Sequence, residues 1–149
     1  MEWSWKAYEA LSLDELYALL QLRQEVFCVE QECAYQDVDG MDAQAHHLLG
    51  WRDGVLVAYL RAFPAGVVYP QDICIGRVVT SPVARGTGLG RPLMRAGMAR
   101  CWETYGAGSI KLSAQAHLSA YYNSLGFGVV GEGYLEDGIP HVPMRCTAP

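Results

Sequence analysis

The feature that most limits how this chain can fold is a glycine-rich loop set between an apolar run and a helical one. Residues 73–80, with Ile73, Ile75, Val78 and Val79, are stopped by Ser81 and Pro82, and Arg85, Gly86, Thr87, Gly88, Leu89, Gly90 and Arg91 follow. Leu93, Met94, Gly97, Met98, Cys101, Trp102 and Tyr105 then recur at helical spacing, with Pro92 in the first turn and Gly106 at the exit, where those residue types suit helix ends. A strand that turns through glycines into a helix gathers unpaired backbone N–H groups at one helix N-terminus, and such a terminus binds anions. Glycines let the backbone approach a ligand closely, and Arg85 and Arg91 can add charge-assisted bonds to phosphate oxygens. The expected ligand is a pyrophosphate.

Two nucleotide motifs fail here. The phosphate loop of many ATPases requires Gly-x-x-x-x-Gly-Lys followed by Ser or Thr, and no such string occurs. The dinucleotide fingerprint Gly-x-Gly-x-x-Gly breaks down because Arg91 stands where a third glycine should follow Gly86 and Gly88. By itself the loop fits a plain connection from strand to helix as well as it fits a binding site.

The rest of the chain reads as one mixed α/β domain over residues 1–149. Trp3, Trp5 and Ala7 alternate with polar residues in a first strand, and Ser12 with Glu15 has the form of a capping box for a helix reaching about Val29. Residues 30–45 are acidic and irregular. Apolar runs at 47–51 and 55–63 flank Asp53 and Gly54, the signature of a hairpin. A strand at 110–114, a short helix at 118–125 and strands at 127–134 and 141–145 complete the order. A net charge of −5 argues against a broad nucleic-acid surface. No apolar stretch approaches the roughly 20 residues of a membrane span, the start lacks the pattern of a leader, and a cytoplasmic protein is expected. Five scattered cysteines without a Cys-x-x-Cys pair suggest neither disulfides nor a zinc site.

A second segment gives the loop its meaning. Arg85, Gly88 and Gly90 after Gly76, Arg77, Val78 and Val79, together with Ala120, Tyr121, Tyr122, Asn123, Leu125, Gly126 and Phe127, resemble the paired motifs of the GNAT N-acetyltransferase superfamily. Leu22, Arg23, Val26 and Phe27, then Glu30, Gln31, Tyr35, Gln36, Asp37, Asp39 and Gly40, and finally residues 114–118 and 136–141, sharpen the likeness to its ElaA-like branch. The resemblance implies a GNAT-like mixed sheet flanked by helices, with central strands splayed into an acyl-CoA cleft. It implies acetyl-CoA as co-substrate and direct attack by an amine on the thioester. The pantetheine arm would lie along Arg77, Val78 and Val79, the pyrophosphate on residues 85–91, and Gln115 where many relatives carry Asn. Tyr122 falls at the position of the general acid that protonates the departing thiolate.

For the acceptor amine the sequence offers candidates without settling their roles. Glu30 and His47 could take the ammonium proton, while Arg23, Gln31, Tyr35, Asp37, Asp39 and His141 stand in recurrent motifs that could bind the acceptor. Arg23 and Arg77 fit buried ion pairs equally well, and a strand histidine is commonly a satisfied core residue. No metal is expected: adjacent His46 and His47 point to opposite faces of a strand, and the run from Asp37 to Asp42 lacks the glycine a calcium loop requires. The expected partners are acetyl-CoA and an amine, without nucleic acid or membrane, and a homodimer is left open. A CoA-binding sensor without turnover and a transferase of longer acyl groups are the competing readings.

Overall fold

The alternating tryptophans open the chain as strand β1 (Glu2–Ala7) in the computed structural model, which describes residues 1–149. Ser12 then caps helix α1 (Leu13–Arg23): its Oγ accepts from the Glu15 N–H at 3.0 Å while the Glu15 carboxylate accepts from the Ser12 N–H at 2.8 Å. Two otherwise orphaned donors are satisfied at once. The α-helix stops short of Val29; Gln24–Glu30 winds as a π-helix, a form found often at functional sites.

Strands β2 (His46–Arg52) and β3 (Val55–Phe63) meet at Asp53 and Gly54, whose φ values of +51° and +75° are the pair of left-handed residues that a tight hairpin requires. Next come β4 (Ile73–Thr80), α2 (Gly90–Tyr105), β5 (Ile110–Gln115), α3 (Ser119–Asn123), β6 (Gly128–Val129), β7 (Tyr134–Glu136) and β8 (Ile139–Cys146). The sheet order is β1-β2-β3-β4-β5-β8-β6, with β7 also paired to β8. Residues 127–134, expected as one strand, are broken. Val130 still donates to Pro143 O at 2.9 Å, but Pro143 has no N–H to return, so the ladder on β8 cannot continue there.

The sheet carries helices on both faces. Leu48, Leu60, Ile75, Leu93, Met94, Ile110 and Met144 fill one side beneath α2, and Leu19, Leu22, Leu49, Tyr59 and Val79 fill the other beneath α1. Strand alternation sorts them, since neighbours such as Leu48 and Leu49 face opposite ways. Gly97 lets α2 approach closely: a Cβ there would stand 2.6 Å from Leu60 Cδ2.

Candidate active site

The cleft follows from two irregularities in β4. Tyr59 is opposite Val79 and Arg61 opposite Gly76, so the single residue Leu60 on β3 faces both Arg77 and Val78. That extra residue is a β-bulge, and it releases backbone groups from the ladder. Arg77 holds φ at +51°, a left-handed conformation that a residue with a side chain adopts at a cost. On its other side β4 runs parallel to β5 only at Ile73 with Ile110 and Cys74 with Lys111. Beyond those pairs the strands part, and a cavity of about 400 Å³ opens between them.

Gly76, Arg77 and Val78 form one wall of this cavity, Ser113 and Gln115 the opposite one, and Tyr122, Gln31, Tyr35 and His141 close it from other elements. Seven of the expected residues are thereby brought together from β4, β5, α3, β8 and the loop after the π-helix: Gln31, Tyr35, Arg77, Val78, Gln115, Tyr122 and His141 surround one space. Tyr122 is 7% exposed, and burial pushes its phenol well above the ordinary value, keeping it protonated. Its ring packs edge-on against Tyr121 and Phe127.

An ion-pair network fixes the bulge from behind. Arg23, fully buried, donates from Nε to Asp37 Oδ2 at 2.8 Å and from Nη1 to Asp42 Oδ1 at 2.7 Å. Arg61 bridges Asp39 and Asp42, with Nη2 donating to Asp39 Oδ2 at 2.6 Å and Nη1 to Asp42 Oδ1 at 2.9 Å. Arg77 Nε is paired with Asp37 Oδ1 at 2.8 Å, and Tyr35 donates to the same oxygen at 2.9 Å. Three guanidinium groups and three carboxylates thus balance inside the protein, as buried charges must. This corrects the acceptor-binding reading of Arg23, Asp37 and Asp39: Arg23 is spent on Asp37 and Asp42, Asp39 on Arg61 and Arg77, and none of the three lines the cavity.

The candidate bases are corrected as well. His47 is fully buried, its Nδ1 2.7 Å from Tyr59 Oη and its Nε2 2.9 Å from Asp42 O. Both ring nitrogens are occupied, and burial lowers its pKa, so it can reach no substrate. Glu30 lies outside the cavity and accepts from Arg85 at 2.8 Å on the surface. Cys74 lines the cleft, but burial pushes its thiol up to about 12, the opposite of an activated nucleophile.

The glycine loop sits at the start of α2. Gly86 and Gly88 have φ of +79° and +76°, and no turn or loop hydrogen bond takes the amides of Gly86, Thr87, Gly88 or Leu89. Those of Gly90 and Arg91, in the first helical turn, have no intrahelical acceptor either. The Thr87 hydroxyl donates to Ala84 O, and Arg91 donates to Ser124 Oγ at 2.9 Å, tying the loop to the end of α3.

The same fold recurs in known proteins. The Acetyltransferase (GNAT) domain family matches residues 10–148. The chain belongs to the GNAT acetyltransferase family. Within it, Escherichia coli ElaA is 44% identical over 146 residues, covering 97% of this chain and 95% of ElaA. The crystal structure of E. coli ElaA superposes with a TM-score of 0.91 over 98% of this chain and 99% of its own. An acyl-CoA N-acyltransferase from Pseudomonas aeruginosa is 50% identical, with a TM-score of 0.92 over 99% of this chain and all of the other. An aminoglycoside 6'-N-acetyltransferase solved with coenzyme A shares the fold alone, at 15% identity and a TM-score of 0.75 over 99% of this chain and 97% of that one. The ElaA-like likeness of the motifs and the GNAT architecture are both borne out.

Several groups around the GNAT cleft escaped the sequence reading. Cys33, Tyr69, Ser113 and Glu136 line it as well, beside Asp137, which stands in one of the recurrent motifs of the acceptor side. The motif at 136–141 pointed towards Glu136 and Asp137, whereas nothing local marked Tyr69 or Ser113, which only the splay of β4 from β5 brings to one space.

Proposed function

We propose that this GNAT chain moves an acetyl group from acetyl-CoA directly to a primary amine of a small molecule or peptide. The observation that carries the reading is the bulged β4, splayed from β5, with Tyr122 on the cavity wall. The pyrophosphate of acetyl-CoA sits on the free amides of residues 86–91, with Arg91 beside them and Arg85 exchanging Glu30 for a phosphate oxygen. The pantetheine arm follows Arg77, Val78 and Val79 towards the cleft, and the Gln115 amide reaches it from β5.

A backbone N–H released by the bulge holds the thioester carbonyl and then the oxyanion of the tetrahedral intermediate, a contribution of about 3 kcal/mol for a well-placed donor. The ammonium first gives up one proton. Its lone pair then forms the C–N bond, and the C–S bond breaks with its electrons on sulfur. Tyr122 hands its hydroxyl proton to that thiolate, and the phenolate is restored by the second proton leaving nitrogen. The products are an amide, free CoA and one proton. A thiol of pKa about 8.5 and a phenol of about 10 make this transfer uphill in water, so Tyr122 must act by position. No metal takes part in these steps, and the setting we propose is cytoplasmic.

Tyr122→Phe tests the assignment. Turnover should fall by about 100-fold or more while the Kd for CoA, measured by calorimetry, stays within error. Undiminished turnover removes Tyr122 from the mechanism.

A further inference from the structure

We infer that His141, backed by Glu136, is the group that takes the first proton from the acceptor ammonium. This rests on the acyltransferase reading and supplies the base which that reading needs.

β8 lies beside β5, and His141 is in register with Gln115, at the end of β5 where the strands have parted. The His141 side chain lines the cavity yet is only 7% exposed. Its ring is held on three sides. Nδ1 is 2.7 Å from Ile139 O; a carbonyl oxygen can only accept, so Nδ1 carries the hydrogen and the neutral ring keeps its lone pair on Nε2. Nε2 stands 3.3 Å from Glu136 Oε2. The Tyr134 ring stacks on the imidazole at 6.2 Å and 18°, and its hydroxyl is hydrogen-bonded to Ser113 Oγ.

Unprotonated Nε2 and the Glu136 carboxylate are two acceptors without a hydrogen between them. A proton delivered to Nε2 turns that contact into a charge-assisted bond to Glu136. The Glu136 side chain is 53% exposed, so the proton has an exit to water without crossing the cleft. In the step, the N–H bond of the ammonium breaks towards Nε2, the freed pair stays on the amine for attack, and the imidazolium proton passes to Glu136 and to solvent.

The other titratable groups on the cavity wall do not fit, beginning with Cys33, whose thiol donates to Asp137 O at 3.5 Å. Arg61 and Arg77 are permanent cations held by Asp37, Asp39 and Asp42. The Tyr35 hydroxyl is committed to Asp37, and burial raises the phenols of Tyr35 and Tyr69 and the thiol of Cys74. Tyr122 is used as the acid. Asp137 is exposed at the turn between β7 and β8, without an imidazole to relay through.

Two measurements test the pair. Histidine ring ¹⁵N NMR of the free protein reads the tautomer, and the Nδ1–H form is expected for His141; the Nε2–H form overturns the assignment whatever the turnover. The second compares His141→Gln and Glu136→Gln with the parent enzyme on two acceptors that the parent acetylates, one strongly basic and one weakly basic enough to be neutral already. The base reading expects kcat to fall by about 100-fold with the first amine for His141→Gln, less for Glu136→Gln, and little with the second amine, with CoA affinity retained. Equal loss on both amines, or none, overturns it. A parent protein that binds CoA but releases no thiol with any amine overturns the acyltransferase reading itself, a result distinct from either.

Discussion

Arg77 Nε stands 2.8 Å from Asp37 Oδ1, so the left-handed residue of the β4 bulge is tied to a loop 40 residues earlier in the chain. Asp37 also holds the fully buried Arg23, and one carboxylate therefore steadies both the core beneath α1 and the wall of the cleft. Asp37→Ala leaves the buried Arg23 with Asp42 alone and Arg77 with Asp39 alone, and breaking buried pairs in this way costs up to about 3–5 kcal/mol. Urea unfolding should show that loss; a change below about 1 kcal/mol would show that the network does not hold the loop.

The network also sets how stability depends on pH. The hydrogen bond from Arg61 holds the Asp39 carboxyl far below the usual range; burial opposes ionisation of Asp42, but Arg23 prevails and lowers it too. Burial lowers His46 and His47. All four groups have folded pKa values depressed below their unfolded ones, so the stability they contribute is present above the unfolded values and is lost on acidification. Tm should be level between about pH 7 and pH 8, decline below about pH 6.5 as the histidines of the unfolded chain take up protons, and drop more steeply below about pH 4. A Tm unchanged between about pH 7 and pH 5 would contradict the histidine contribution.

At Gly88 the strain and steric arguments separate. A Cβ added there meets nothing within 4 Å, but φ is +76°, which costs a residue with a side chain roughly 1–2 kcal/mol. In Gly88→Val the exposed loop relieves that strain by leaving the left-handed conformation, so CoA binding should weaken by about tenfold while urea unfolding changes by less than the strain itself. Retained affinity would mean that the loop conformation does not make the anion site.

Much of this was legible because it is local. The Ser12 to Glu15 capping box, the Asp53–Gly54 turn and the bounds of β4 each depend on residues near one another in sequence, and the structure reproduces them. The glycine loop was found for the same reason. What could not be read depends on distant partners. His47 fitted a base or a satisfied core histidine, and only the packing of Asp42 and Tyr59 around it shows both nitrogens taken. Arg23 fitted a substrate site or an ion pair until Asp37 and Asp42 were seen folded onto it. The bulge takes its left-handed residue at Arg77 rather than at the neighbouring Gly76, and Pro143 on β8, which breaks the strand expected at 127–134, acts from its partner strand.

The most direct test of the account is a panel of primary amines incubated with acetyl-CoA and the protein, read by thiol release and by the mass of the product. At least one amine should yield thiol and N-acetyl product in equal amounts, with acetyl-CoA preferred over longer acyl-CoA donors. CoA binding without thiol release from any amine would contradict it and leave a binding domain in place of a transferase.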